Sequence, residues 1–216
     1  MADKNIVIID YGMGNLLSVR RGLEDCGADV TVTADADVIA NSRKLVLPGV
    51  GAFQDGMRGL EERGLVEPIH QAVANGTQLM GICLGMQMLM DSSSEHGDYL
   101  GLGLIPGKVD AIPAYQDETL ARKIPHIGWT ALSTHGTGVD WKHSYLVNTA
   151  PGDYMYFVHS YTALPHNDYM LATCDYLGYR VTAAVQKDQV CGFQFHPEKS
   201  GTAGLCILEA FVARGA

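Results

Sequence analysis

Residues 5–10 (NIVIID) constrain the fold more than any other stretch of the chain. A short, nearly continuous apolar run of this kind is expected of a strand covered on both faces, which requires a sheet with helices above and below it. The segments that follow supply those helices. Leu16, Val19, Leu23 and Cys26 recur at helical spacing, with Arg20, Arg21, Glu24 and Asp25 on the opposite side. Residues 29–33 (DVTVT) and 44–47 (KLVL) read as further strands, the second ending at Pro48-Gly49-Val50-Gly51. A helical stretch over residues 52–75, broken near Gly64 and Pro68, leads to a strand at 78–82, then Cys83, then a short helix to about Asp91. This β-α-β-α order predicts a parallel sheet.

The second half changes character. Residues 154–158, 180–186 and 189–195 read as strands, with Lys187-Asp188 as a two-residue hairpin turn between the last two. Leu205, Leu208, Phe211 and Val212 close the chain on an amphipathic helix. The expectation is a single domain over residues 1–216: a three-layer α/β/α fold with a mainly parallel central sheet and an antiparallel C-terminal addition.

Charge and cysteine content narrow the class of function. Fifteen Lys and Arg against twenty-four Asp and Glu give a net charge of −9, which argues against a nucleic-acid binder. The five cysteines (26, 83, 174, 191 and 206) form neither a CxxC pair nor a zinc-type cluster, so no metal is expected and a reducing, cytoplasmic setting is. The early apolar run is too short and ends too soon in Asp10 for a secretory segment. Between Glu67 and Asp91 the chain carries no Asp, Glu, Lys or Arg, but Gln71, Asn75, Thr77, Gln78 and Gln87 interrupt it. A buried core segment is expected there, with no membrane partner.

The strongest chemical signal is Gly81-Ile82-Cys83-Leu84-Gly85 at a strand-to-helix junction. It has the form of a nucleophile elbow with sulfur at its tip. The glycines remove side chains that would collide with neighbouring elements, the helix N-terminus favours the thiolate, and the Leu84 N–H is free to serve an oxyanion. The other four cysteines lack this context and are read as core. A thiolate needs a base, and His196 follows a strand and precedes Pro197-Glu198. Taken alone, His-Pro-Glu is a common surface turn. With extended geometry imposed before Pro197, Glu198 would point the same way as His196 and accept from its ring. The Pro48–Gly51 loop ends a strand of the same sheet, so its amides should lie near Cys83. Gly12-Met13-Gly14 invites a dinucleotide reading, but Leu17 stands where the third glycine belongs.

The set Gly81-Ile-Cys83-Leu-Gly85-Met-Gln87 with Phe195-His196-Pro197-Glu198 resembles the class I (triad-type) glutamine amidotransferases. Segments 10–16 (DYGMGNL), 47–53 (LPGVGAF), 125–129 (PHIGW), 156–161 (YFVHSY) and 195–201 (FHPEKSG) narrow the resemblance to the glutaminase subunits of imidazole glycerol phosphate synthases. It implies that Cys83 attacks the glutamine side-chain amide, His196 moves the proton and Glu198 orients His196. It implies an oxyanion held by Leu84 and the Val50-Gly51 segment, and glutamine contacts from Gln87, Glu95, Ser160 and Tyr161. It further implies ammonia transfer to a (β/α)8 cyclase subunit in a heterodimer serving histidine biosynthesis, with Trp129 and Lys199 at the contact and no cofactor.

After Gly128-Trp129 this chain has Thr130, where the family usually has Asn. The alternative is therefore the same glutaminase chemistry supplying a sugar amidotransferase in surface-polysaccharide synthesis. A stand-alone cysteine hydrolase and a catalytically silent regulatory module are the readings outside this chemistry.

Overall fold

The computed structural model describes residues 3–116, 121–136 and 140–215. The first half runs β1 (Asn5–Ile9), α1 (Leu16–Asp25), β2 (Asp29–Thr33), α2 (Ala36–Ala40), β3 (Lys44–Gly49), α3 (Phe53–Glu62), α4 (Val66–Ala74), β4 (Gln78–Cys83) and α5 (Leu84–Met88). Short strands β5 (Ser92–Ser93), β6 (Tyr99–Leu100), β7 (Gly107–Ala111), β8 (Tyr115–Gln116) and β9 (Ala121–Arg122) follow. The second half comprises β10 (His126–Thr134), β11 (Tyr154–His159), β12 (Tyr161–Pro165), β13 (Met170–Tyr176), β14 (Tyr179–Lys187), β15 (Val190–Phe193) and α6 (Gly201–Ala213).

A nine-stranded sheet in the order β11-β10-β13-β14-β15-β4-β3-β1-β2 forms the frame. Its half from β15 to β2 is parallel, and its half from β11 to β15 is antiparallel. Strand alternation divides the core in two. Ile6, Ile8, Val46, Met80 and Ile82 pack with Val19 and Leu23 of α1 and with Ile207, Leu208 and Phe211 of α6. Val7, Ile9, Leu45, Leu47 and Leu79 face the other way, onto Ile39, Phe53, Leu60 and Ile69 of α2, α3 and α4. Residues buried in this way on successive positions of one strand are the signature of helices on both faces. A second, four-stranded sheet, β12-β7-β5-β6, extends from the α5 side and buries Val109 and Ala163 with Met88 and Met90.

Several boundaries differ from the sequence reading, each for a local reason. Gly64 does separate α3 from α4, but Pro68 lies in the first turn of α4, where its missing N–H has no helical partner to lose. The helix after Cys83 stops at Met88, and the chain enters the small sheet. Lys187 pairs with Val190, which shifts the hairpin turn to Asp188-Gln189, and Asp188 carries the positive φ of 52°. Among the described residues no helix is long and apolar enough to cross a membrane, and the uncharged stretch before Asp91 forms α4, β4 and α5.

Candidate active site

The carboxyl ends of the parallel strands converge on a cavity of about 330 Å³, at the small end of the ligand-pocket range. It is lined by Val50, Gly51, Cys83, Leu84, Gln87 and Glu95 from the first half of the chain and by Pro125, Val158, His159, Ser160, Tyr161 and His196 from the second. The structure therefore gathers nine sequence-predicted residues around one space. Glu198 stands behind His196, outside the cavity, and Trp129 and Lys199 lie on the exterior.

Cys83 caps α5 with φ 55° and ψ −111°, a conformation a non-glycine residue rarely adopts. The packing around it enforces the turn. A Cβ on Gly85 would overlap the Leu47 carbonyl oxygen, and one on Gly81 would lie 2.7 Å from the Gly85 carbonyl. The elbow thus fits against β3 only because both flanking positions lack side chains. The sulfur lies 3.9 Å from the Val158 carbonyl and 3.7 Å from Gln194 Nε2, which donates to it.

His196 leaves the sheet in extended geometry, and Pro197–Lys199 form a 3-10 turn. Glu198 reaches the ring through this turn and not by strand alternation, correcting the expected route while making the expected contact. His196 Nδ1 donates to Glu198 Oε1 at 2.8 Å, and the carboxylate side chain is 0% exposed. That bond keeps a proton on Nδ1 and orients the ring, and Nε2 is buried without a hydrogen-bond partner. Burial works against a charged ring, but the adjacent Cys83 and Glu198 outweigh it and raise the His196 pKa to about 9. The site therefore favours a protonated ring. A thiol beside an oriented imidazole of this kind has the arrangement that acyl transfer through a thioester requires.

The remaining residues are held by bonds that the sequence does not reveal. Gln87 Nε2 donates to the Tyr161 carbonyl (3.1 Å) and to Gln194 Oε1 (3.0 Å). Glu95 Oε2 accepts from Phe53 N–H at 2.7 Å and so caps α3, whose own N-cap, Ala52, offers no side-chain acceptor. The Ser160 carbonyl accepts from Ile112 N–H. Tyr11 was missed by the sequence reading: its buried hydroxyl donates to the Pro48 carbonyl at 2.8 Å and braces the Val50-Gly51 loop. Met13 and Gly14 pack against Gly51 and Pro48, so the glycine-containing loop after β1 backs the Pro48–Gly51 loop. Gln194 and His159 were missed too. Their signal is a polar residue at a strand end two positions from His196 or within 156–161.

The other cysteines divide. Cys174 and Cys191 are buried, and burial raises both thiols, Cys174 to about 12. Cys26 and Cys206 are only partly buried, against the expectation of core; burial still lifts Cys26 to about 11. Among the described residues no cluster of three or more His, Cys, Asp or Glu side chains is disposed to hold a metal.

His159 lines the cavity and His126 is buried behind it, 3.0 Å from its ring. Burial holds His126 neutral, with its pKa lowered to about 4. Burial, reinforced by the neighbouring His126 and His196, lowers His159 to about 3 against an opposing bond to the Tyr161 backbone. The unfolded chain takes up protons at these rings below pH 6.5 while the native fold does not, so stability falls as pH drops from about 6.5 toward 4. His196 has the opposite sign: its contribution is full below pH 6.5 and is lost as pH rises through about 9. Urea midpoints are expected to peak near neutrality and fall on both sides, and a midpoint constant from pH 7 to pH 5 would contradict the buried neutral pair.

The model of the glutamine amidotransferase class-I family matches residues 7–214. The chain is 44% identical over 209 residues to imidazole glycerol phosphate synthase subunit HisH 1 of Legionella pneumophila (strain Lens), covering 96% of this chain and 98% of that protein. It is 46% identical over 208 residues to the HisH subunit of Geobacter sulfurreducens, covering 95% and 97%. Among solved structures, PurLQS from Thermotoga maritima superimposes with a TM-score of 0.70 at 18% identity, over 97% of each chain, and a structure described as a glutamine amidotransferase with 0.69 at 18%, over 95% and 98%. The strained Cys83 elbow and the His196–Glu198 pair thus stand in a chain that belongs to the class-I glutamine amidotransferases and, within them, to the HisH subunits of imidazole glycerol phosphate synthase.

Proposed function

We propose that this chain is the glutaminase subunit of an imidazole glycerol phosphate synthase, hydrolysing glutamine to glutamate and ammonia in histidine biosynthesis. The buried, oriented His196 beside Cys83 is the observation that carries the chemistry. The Cys83 thiolate adds to the side-chain amide carbon, and the oxyanion is received by the Leu84 amide and the Val50-Gly51 segment. Imidazolium His196 gives its proton to the departing nitrogen, ammonia leaves, and a γ-glutamyl thioester remains. Neutral His196 then takes a proton from water, which attacks the thioester and expels the thiolate with glutamate. Gln87, Glu95, Ser160 and Tyr161 hold the substrate. The reaction needs no cofactor or metal.

The partner is a cyclase subunit of (β/α)8 type, bound as a heterodimer, and the exposed face of the antiparallel sheet suits it. Ile127 and Trp129 of β10 stand beside Val158, Tyr156 and Tyr154 of β11 on one face. Trp129 is 54% and Tyr154 60% exposed, an unusual accumulation of apolar surface on paired strands. Lys199 is exposed on the turn after His196, and that turn is tied to β11 by His196 N–H to the Tyr156 carbonyl and by Tyr156 N–H to Ser200 Oγ. Five free cysteines suit a reducing cytoplasm.

The test is glutamate release from glutamine by the purified chain, alone and with a cyclase subunit plus its nucleotide ligand. Stimulation by the loaded cyclase is expected. Hydrolysis without stimulation would overturn the pathway and favour a sugar amidotransferase, and no hydrolysis under either condition would overturn the glutaminase itself. Lys199→Glu is expected to weaken cyclase binding by about tenfold with an unchanged melting temperature, as reversal of one interfacial charge does. An unchanged dissociation constant would remove Lys199 from the contact.

A further inference from the structure

His126, His159 and Thr130 form an unbroken polar chain that ends on the wall of the cavity. Thr130 Oγ1 lies 2.8 Å from His126 Nε2, His126 Nδ1 lies 3.0 Å from His159 Nε2, and His159 Nδ1 lies 2.7 Å from the Tyr161 carbonyl. The His126 ring is sandwiched, 3.9 Å from Tyr176 and 4.8 Å from Phe157 by ring centroids, so it has no room to turn away. We propose that His126 and His159 are positioning residues for glutamine, fixing the Tyr161 carbonyl that in turn anchors Gln87. This rests on the glutaminase reading and goes beyond it.

The direction of every bond follows from one fixed point. A carbonyl only accepts, so His159 Nδ1 carries a proton. Both rings are neutral, as their burial requires, so His159 Nε2 is an acceptor. His126 Nδ1 must then donate to it, His126 Nε2 must accept, and the Thr130 hydroxyl must donate. No alternative set of tautomers satisfies all three contacts with neutral rings. The Tyr161 carbonyl consequently receives two donors, His159 and Gln87. The adjacent Ser160 carbonyl is taken by Ile112. Ser160, between β11 and β12, and Tyr161 after it are thereby held by donors on their carbonyls, and both residues line the cavity.

The chain starts on the sheet whose opposite face carries Trp129. Thr130 is on β10 next to Trp129, and alternation puts it with His126 on the inner side while Ile127 and Trp129 face out. The far end of the chain is therefore one residue from the exposed apolar face, and the near end is the substrate wall.

The experiment measures glutamine turnover by the full chain with its cyclase partner. His159→Leu removes the donor to Tyr161 and is expected to raise KM about tenfold, the effect of one buried hydrogen bond, with kcat within about threefold. His159→Asn places an amide N–H where Nδ1–H stood and should return KM to near the wild-type value, whereas His159→Gln, which reaches the Nε2 position, should not. Thr130→Val, isosteric and outside the cavity lining, should raise KM about threefold, and Thr130→Ser should restore it. In the wild-type chain, nitrogen NMR of the histidine rings should find both as Nδ1–H tautomers. A ring in the Nε2–H form would overturn the proposal, as would an unchanged KM in both His159→Leu and Thr130→Val. Should His159→Leu not fold, the Thr130 pair and the tautomers decide. Absence of turnover in the wild-type complex would sink the glutaminase reading together with this one; turnover with unaltered KM in the variants would sink this one alone.

Discussion

Alanine at position 83 is expected to lower glutamine hydrolysis by roughly a million-fold, to the level supplied by binding and the oxyanion donors alone. The size of the effect follows from what is removed: in the proposed mechanism, the sulfur that forms the covalent intermediate. The fold should survive. Cys83→Ala keeps the Cβ and the φ of 55°, so the strain of the elbow is the same in both proteins. The sulfur's contacts to Val158 and Gln194 are long, at 3.9 and 3.7 Å, and their loss costs little. The packing that shapes the turn, Gly81 on Gly85 and Gly85 on Leu47, is untouched. A melting temperature within a few degrees of wild type, with no detectable glutamate release and intact binding to the cyclase, is the expected result. Residual turnover at even one per cent would move the nucleophile elsewhere, and none of the other four cysteines lines the cavity.

The two halves of the chain differ in how much of the fold is legible in the sequence. β1, β3 and β4 are buried along almost their whole length, so the apolar run is itself the signal. β10 spans nine residues in which buried, half-buried and exposed positions are mixed, and neither alternation nor continuity marks it. The same holds for β13, β12, β7 and the two-residue strands of the small sheet. α2 was missed because five residues carry too little periodicity. The same division holds at the site. Cys83, His196 and Glu198 stand out because glycines and a proline punctuate them, which is a local signal. Tyr11, Gln194 and His159 act through contacts between segments far apart in sequence: Tyr11 reaches Pro48, and Gln194 reaches Gln87 and Cys83. Their roles exist only once the sheet order has brought β15, β4 and the β11–β12 bend together.

His196→Asn carries the second large effect, expected to be on the order of 10⁴-fold or more in turnover, because in the proposed mechanism both proton transfers pass through one atom. Glu198 holds Nδ1 at 2.8 Å and its carboxylate is fully buried, so the ring has a single free nitrogen. Asparagine preserves a donor toward Glu198 and roughly the same volume, which keeps the turn at Pro197–Lys199 intact, but it offers no basic nitrogen to the cavity. The pKa of about 9 separates this role from a structural one. In the wild type, acylation should decline as pH rises through about 9, because the proton needed by the departing ammonia is lost from Nε2. The residual activity of His196→Asn should show no such limb, since no group at that position titrates. Pre-steady-state measurement of ammonia release from pH 6 to 10 in both proteins makes the comparison. Loss of rate with the same alkaline limb in both would assign the proton to another group. A His196→Asn chain with turnover within tenfold of wild type would remove His196 from the chemistry altogether.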